Sequence, residues 1–180
     1  MIEVELGELI GLFHADPLVL GTFQSVDSTG VPEPYRSLLV HDCHMTVSME
    51  NYHGSRVEVT VIQESRHGDS YCREICLARQ LDSQVIQYGI VKMNLLHVGD
   101  EIRKEVESHA KPLGRILIDH GILRQVRLLS LYKVEVGEYL ARVLQLRPGQ
   151  STFGRTAIIY CNREPAIELL EIVGSTGSGV

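Results

Sequence analysis

Residues 56–78 read RVEVTVIQESRHGDSYCREICLA. From Arg56 to Glu64, Val57, Val59 and Val61 alternate with Glu58 and Thr60. That two-residue period is the signature of a strand with one face against a core. Arg66-His67-Gly68-Asp69 carries turn chemistry, and Ser70–Ala78 reads as the next strand. Upstream, His44–Asn51 (HMTVSMEN) alternates as well, with Met45, Val47 and Met49 on one side. With Tyr52-His53-Gly54-Ser55 as the turn, His44–Asn51 and Arg56–Glu64 are predicted to form an antiparallel hairpin. Asp82-Ser83 turns into a fourth strand at Gln84–Leu95.

The period changes further along. Residues 99–121 take helical spacing, with Asp100 as N-cap and Ile102, Val106 and Ala110 as the stripe. Pro112 interrupts it, and Leu113–His120 forms a second short helix closed by Gly121. Ile122–Val136 is a long strand, Gly137–Leu146 a short amphipathic stretch, and Phe153–Cys161 and Ala166–Val173 pair around Asn162-Arg163-Glu164-Pro165. At the other end, Leu6, Leu9, Ile10 and Phe13 give residues 3–13 a helical pattern, while 14–36 look irregular. Hairpins, then helices, then hairpins predict an α+β fold with a mostly antiparallel sheet. The predicted organisation is a single domain over 1–173, its first 35 residues an irregular extension, followed by a flexible tail at 174–180.

The 180 residues suit one domain, and 44% hydrophobic content with a net charge of -6 excludes a disordered chain. No run approaches the ~18 apolar residues of a membrane span. Met1-Ile2-Glu3-Val4-Glu5 lacks the basic and apolar regions of a secretory signal, so a cytoplasmic location is expected. The acidic balance argues against non-specific nucleic-acid binding, and no basic run suggests a membrane surface. Cys43, Cys72, Cys76 and Cys161 include no CxxC pair. Along a strand, the four-residue step from Cys72 to Cys76 spans about 13 Å, too far for a disulfide, so reduced thiols are expected. His41 and His44 would face opposite sides of an extended segment and do not suggest a metal. No Walker or Rossmann loop and no GxSxG elbow is present.

Several residues carry candidate chemistry. Arg73 shares a strand face with Ile75 and Leu77, where a guanidinium is costly unless it meets an acid or an anion. Arg155 shares a face with Ala157 and Ile159. Two arginines aimed into one pocket suit a small dicarboxylate, because each holds a carboxylate through paired hydrogen bonds. Glu171 lies between Leu169 and Val173 on the last strand, where an acid among apolar neighbours can stay protonated and donate. Lys111-Pro112-Leu113-Gly114-Arg115 opens a helix, and its backbone N–H groups favour anions.

The order of these elements resembles the chorismate–pyruvate lyase superfamily, in its divergent bacterial and archaeal branch, over roughly residues 36–173. Leu38-Leu39-Val40-His41-Asp42-Cys43-His44-Met45-Thr46 is similar to the family's opening strand, and Val57–Gln63 to its second. Tyr71–Leu77 resembles the R-E-x-x-L strand, Pro112–Leu117 the PLGR-x-L motif, Phe153-Gly154-Arg155 the aromatic-Gly-Arg element, and Glu164–Glu171 the closing strand. The resemblance implies a six-stranded antiparallel sheet with helical flaps over a buried ligand site. It implies that Arg73 binds a ring carboxylate, that the Leu113 amide adds a hydrogen bond beside Gly114, and that Met45 lines the pocket. Glu171 would donate to the departing ether oxygen, with Arg155 as a second anchor. The implied reaction removes pyruvate from chorismate to give 4-hydroxybenzoate without metal or redox cofactor, in quinone or other aromatic biosynthesis. Some lyases carry an arginine after the fourth-strand glycine; here Gly89 is followed by Ile90, with Lys92 and Arg155 as substitutes. Two alternatives stand beside the lyase. One is a non-catalytic binding or sensor domain of the same fold, for which residues 1–36 are too short and loop-rich to supply a DNA-binding helix-turn-helix. The other is an enzyme for a different small carboxylate. In each reading the partner is a small molecule. Oligomeric state is left open.

Overall fold

A computed structural model describes residues 5–121 and 124–177. Met1–Val4, the expected strand start at Ile122-Leu123 and the tail residues Ser178–Val180 lie outside the described residues. The helices are α1 (Leu6–Gly11), α2 (Tyr35–Leu39), α3 (Met45–His53), α4 (Asp100–Glu107), α5 (Leu113–Asp119) and α6 (Glu138–Leu144). The strands are β1 (Gly21–Val26), β2 (Val57–His67), β3 (Ser70–Arg79), β4 (Val85–Asn94), β5 (Arg124–Val136), β6 (Ser151–Cys161) and β7 (Glu164–Val173). They form one sheet in the order β1-β5-β6-β7-β4-β3-β2, with every neighbouring pair antiparallel. The α+β class with a predominantly antiparallel sheet matches the sequence reading.

Two expectations are corrected. His44–Asn51 is not a strand but lies in α3, and the hairpin partner of β2 is β3. The alternation of Met45, Val47 and Met49 hid a helical pair: Met45, Thr46 and Met49 are the buried residues, a spacing that only a helix puts on one face. Gly54, in the left-handed region at φ 58°, ends the helix as a residue without Cβ can do without strain. The Leu38–Thr46 segment is therefore helix, loop and helix rather than an opening strand. The second correction concerns the first 35 residues. Within them Gly21–Val26 pairs with β5, from Gly21 opposite Val136 to Val26 opposite Leu131, so the sheet has seven strands and not six. A smaller difference is that Gly99 takes the N-cap of α4, leaving Asp100 in its first turn.

The sheet separates two cores. On its back face α1 and α6 lay Leu9, Ile10, Leu140 and Leu144 over Tyr88, Ile90, Leu170 and Ile172. This layer also encloses a charge. The Glu74 carboxylate is 0% exposed and accepts hydrogen bonds from His14 Nε2 (2.7 Å), Gln63 Nε2 (2.7 Å), Tyr88 Oη (2.6 Å) and Tyr139 Oη (3.1 Å). On the front face the apolar side chains divide into two clusters. One, around Val91, Val126, Ile159 and Leu169, lies under α4 and α5. The other, around Ile75, Leu77, Phe153 and Val173, lies under α2 and α3. Cys72, Cys76 and Cys161 are buried free thiols, and Cys43 is an exposed one. Among the described residues no helix is long and apolar enough to cross a membrane.

Candidate functional site

Where the two front-face clusters meet, a cavity of about 40 Å³ opens between the sheet and the helices α3 and α5. Its floor is built from alternate residues of three central strands: Arg73, Ile75 and Leu77 of β3, Gln87, Gly89 and Val91 of β4, and Leu169 and Glu171 of β7. Period-two geometry places each set on one face. Met45 and Thr46 from the start of α3, and Pro112, Leu113 and Gly114 from the start of α5, form the roof. Gly114 permits this closure: a Cβ there would sit 2.8 Å from Thr46 Oγ1 and 3.2 Å from His44 Cβ. Arg115, one residue on, pairs with Glu50 of α3 and ties the two roof helices together. The sequence-predicted residues Arg73, Glu171, Met45, Leu113, Gly114 and Arg155 all line this one cavity.

The two arginines differ in how they are satisfied. Arg155 is 0% exposed and its guanidinium is fully engaged. Nε donates to Glu171 Oε2 at 2.7 Å, Nη1 to the carbonyls of His41 (2.8 Å) and Leu39 (3.1 Å), and Nη2 to that of Cys43 (3.1 Å). It clamps the α2–α3 linker onto the sheet. His41 supports the clamp: Nε2 faces the Leu38 carbonyl at 2.6 Å, and Nδ1 accepts the Cys43 N–H at 3.1 Å. Burial, and then the charge of Arg155, hold the His41 pKa below its ordinary value. Glu171 is thus the ion-pair partner of Arg155, not an isolated acid among apolar neighbours. The pairing depends on a bulge. The β6–β7 hairpin starts with Cys161 opposite Glu164, and an extra residue near Ala166 shifts the register so that Arg155 faces Glu171 instead of Leu170.

Arg73 is 1% exposed, yet among the described residues its guanidinium meets little: Nη1 makes a long hydrogen bond to the Val106 carbonyl of α4 at 3.4 Å, and the Tyr71 side chain lies beside it. Its Nε has no partner among the described residues. Burial lowers its pKa, opposed by the neighbouring Tyr71 and Glu64. Those two residues belong to a chain of contacts beside Arg73. Tyr71 Oη donates to Glu64 Oε2 at 2.6 Å, and His109 Nε2, in the α4–α5 turn, reaches the same oxygen at 2.8 Å. The Tyr71 hydrogen bond is the main reason that Glu64 sits below the usual carboxylate pKa.

The sequence reading missed one polar residue of the floor. Gln87 is 3% exposed and its Oε1 has no hydrogen-bond partner among the described residues. Its spacing from Gly89 and Val91 was the available signal. Ile90 packs into the back-face core; of its two expected substitutes, Lys92 pairs with Glu168 at 3.2 Å outside the cavity, while Arg155 lines the cavity. Lys111, expected to open an anion-binding helix start, pairs with Glu105 (3.3 Å) and Asp119 (3.1 Å). Among the described residues no group of three or more His, Cys, Asp or Glu side chains is placed to hold a metal ion.

No protein-family model matches the chain, and no curated protein matches it. Solved structures do. The chain resembles PhnF from Mycobacterium smegmatis at 13% identity and a TM-score of 0.57, over 73% of this chain and 64% of that one. It therefore spans about two thirds of the length of that PhnF chain. The effector domain of PhnF matches at 12% identity and a TM-score of 0.56, over 75% of this chain and 90% of the domain. A GntR-family transcriptional regulator from Enterococcus faecalis matches at 10% identity and a TM-score of 0.45, over 68% of this chain and 97% of that one. The two PhnF likenesses support the chorismate lyase-like fold. They are to PhnF and to its effector domain, not to a lyase, and they overturn the expectation that this chain is a chorismate–pyruvate lyase.

Proposed function

We propose that this chain is a ligand-binding domain that takes a small anionic molecule with a compact apolar body. The anionic group meets Arg73, and the body lies between the apolar floor and the roof formed by Met45, Leu113 and Gly114. The observation that carries this reading is the contrast between two buried arginines in one cavity. Every nitrogen of Arg155 is engaged, whereas among the described residues Arg73 meets only the Val106 carbonyl, at 3.4 Å, and the Tyr71 side chain, and leaves Nε unpaired. A buried guanidinium without a carboxylate is costly, and an anion arriving from solution removes that cost. Likeness to the PhnF effector domain supports binding as the role, and Glu171, held by Arg155 at 2.7 Å, is not the isolated acid that the lyase reading expected.

Calorimetric titration with benzoate, 4-hydroxybenzoate and chorismate tests the reading. Saturable binding is expected, weakened about 100-fold or more in Arg73→Ala by loss of a charge-assisted contact. Arg73→Lys is expected to bind poorly too, because an ammonium cannot supply the paired donors. Equal affinity in the parent and both variants would remove Arg73 from the site, and no binding of any acid would end the proposal.

A further inference from the structure

Resting on that reading, we infer that Gln87 is a second specificity determinant, which selects ligands carrying a hydroxyl or amino group at the end remote from their anionic group. Along the β3–β4 ladder Arg73 lies opposite Val91, and Gln87 lies opposite Leu77, four residues further along β4. At ~3.3 Å per residue these rows are about 13 Å apart. Both side chains line the same cavity, so they mark its two ends. Between them the floor is Gly89, which presents no side chain, flanked by Ile75. An elongated molecule lying along the strands meets a cation at one end and an amide at the other.

The chemistry at the amide end is specific. The Gln87 carboxamide is buried, and its oxygen accepts no hydrogen bond from the described residues. An amide oxygen removed from water without a donor is destabilising, and a ligand O–H or N–H supplies the donor. Glu171, opposite Gly89 and halfway along the floor, is held by Arg155 at 2.7 Å and is not the far-end partner. The combined requirement is a small acid of roughly ring length with a distal hydrogen-bond donor. Such a site rejects an analogue that lacks the donor more strongly than an apolar pocket rejects a missing methylene.

The test uses two matched pairs, benzoate with 4-hydroxybenzoate and hexanoate with 6-hydroxyhexanoate, titrated against the whole chain. In the parent protein at least one hydroxylated acid is expected to bind about tenfold or more tightly than its partner. In Gln87→Leu that preference falls to about twofold or less, while affinity for the unhydroxylated acid is retained or improved. Gln87→Met is the second variant should Gln87→Leu fail to fold. Arg73-dependent binding with no hydroxyl preference in the parent, or a preference that survives both variants, overturns this inference and leaves the anion-site reading intact. Failure of all four acids to bind the parent overturns both.

Discussion

Arg73 and Glu74 are consecutive residues on β3, and both are buried charges, yet they face opposite sides of the sheet and differ in every other respect. Glu74, on the back face, receives four donors from α6, β2, β4 and the segment after α1. Arg73, on the front face, has among the described residues a long contact to the Val106 carbonyl, Tyr71 beside it and an unpaired Nε. Burial alone therefore does not distinguish structure from function. What distinguishes them is whether the fold itself satisfies the charge. A saturated charge holds elements together, as Arg155 does on the α2–α3 linker. An unsaturated one is a request for something from outside.

Removing the saturated charge is expected to have the largest effect on stability. Glu74→Leu removes the buried acceptor shared by four donors, of which Tyr88 is itself buried, and the urea midpoint should fall by an amount equivalent to about 3 kcal/mol. A loss under about 1 kcal/mol would show that the four contacts do not hold the back face together. Next is the roof. Gly114→Ala forces a methyl against Thr46 and His44, and about 1–3 kcal/mol of destabilisation is expected from such overpacking. Ligand affinity should fall with it, because α3 and α5 separate; unchanged melting and affinity would show that the roof yields freely.

Acidification probes the front-face clamp more gently. The His41 pKa in the folded chain is below the ordinary 6.5, so the unfolded chain binds more protons as the pH falls through about 6.5. Stability is complete above that value and is lost progressively below it, down to the folded pKa. Thermal melts between pH 7.5 and 5.5 should show this slope, and His41→Asn should reduce it, leaving the part due to His53, which burial also holds below its ordinary pKa. A slope unchanged in His41→Asn would assign the effect to another group. The smallest effect is predicted for the unsaturated charge: Arg73→Met should leave stability within about 1 kcal/mol of the parent or raise it, since an apolar group replaces an unpaired buried cation. A loss comparable to that in Glu74→Leu would erase the distinction between the two residues.

The sequence made much of this legible wherever period and turn chemistry agreed. The strands β2 and β3 with the turn between them, and the pair α4–α5, follow from alternation, from turn residues and from Pro112, although the hairpin partner of β2 was misassigned. It failed where two periods fit one stretch, as at Met45–Met49, and at an edge. Gly21–Val26 is hard to read because Gly21, which has no side chain, is its one buried residue, and the others are exposed or half-buried. The cavity residues were legible one at a time, since each is a polar group on an apolar face. Their relations were not. That Arg155 is consumed by Glu171 depends on the one-residue bulge in β7, and Asn162-Arg163 alone would pair that arginine with Leu170. Gln87 passed unnoticed because a glutamine on a strand is ordinary until its neighbours are known.

The divided front-face core has a further consequence. The clusters beneath the two pairs of helices stop short of each other, and the cavity is the seam between them. A guest seated there mends the seam: it becomes filling shared by both halves, and its affinity is added to the cohesion of the whole fold. At a hundredfold excess over its dissociation constant such a guest adds about 2.7 kcal/mol. For this chain, heat resistance is then a gauge of occupancy.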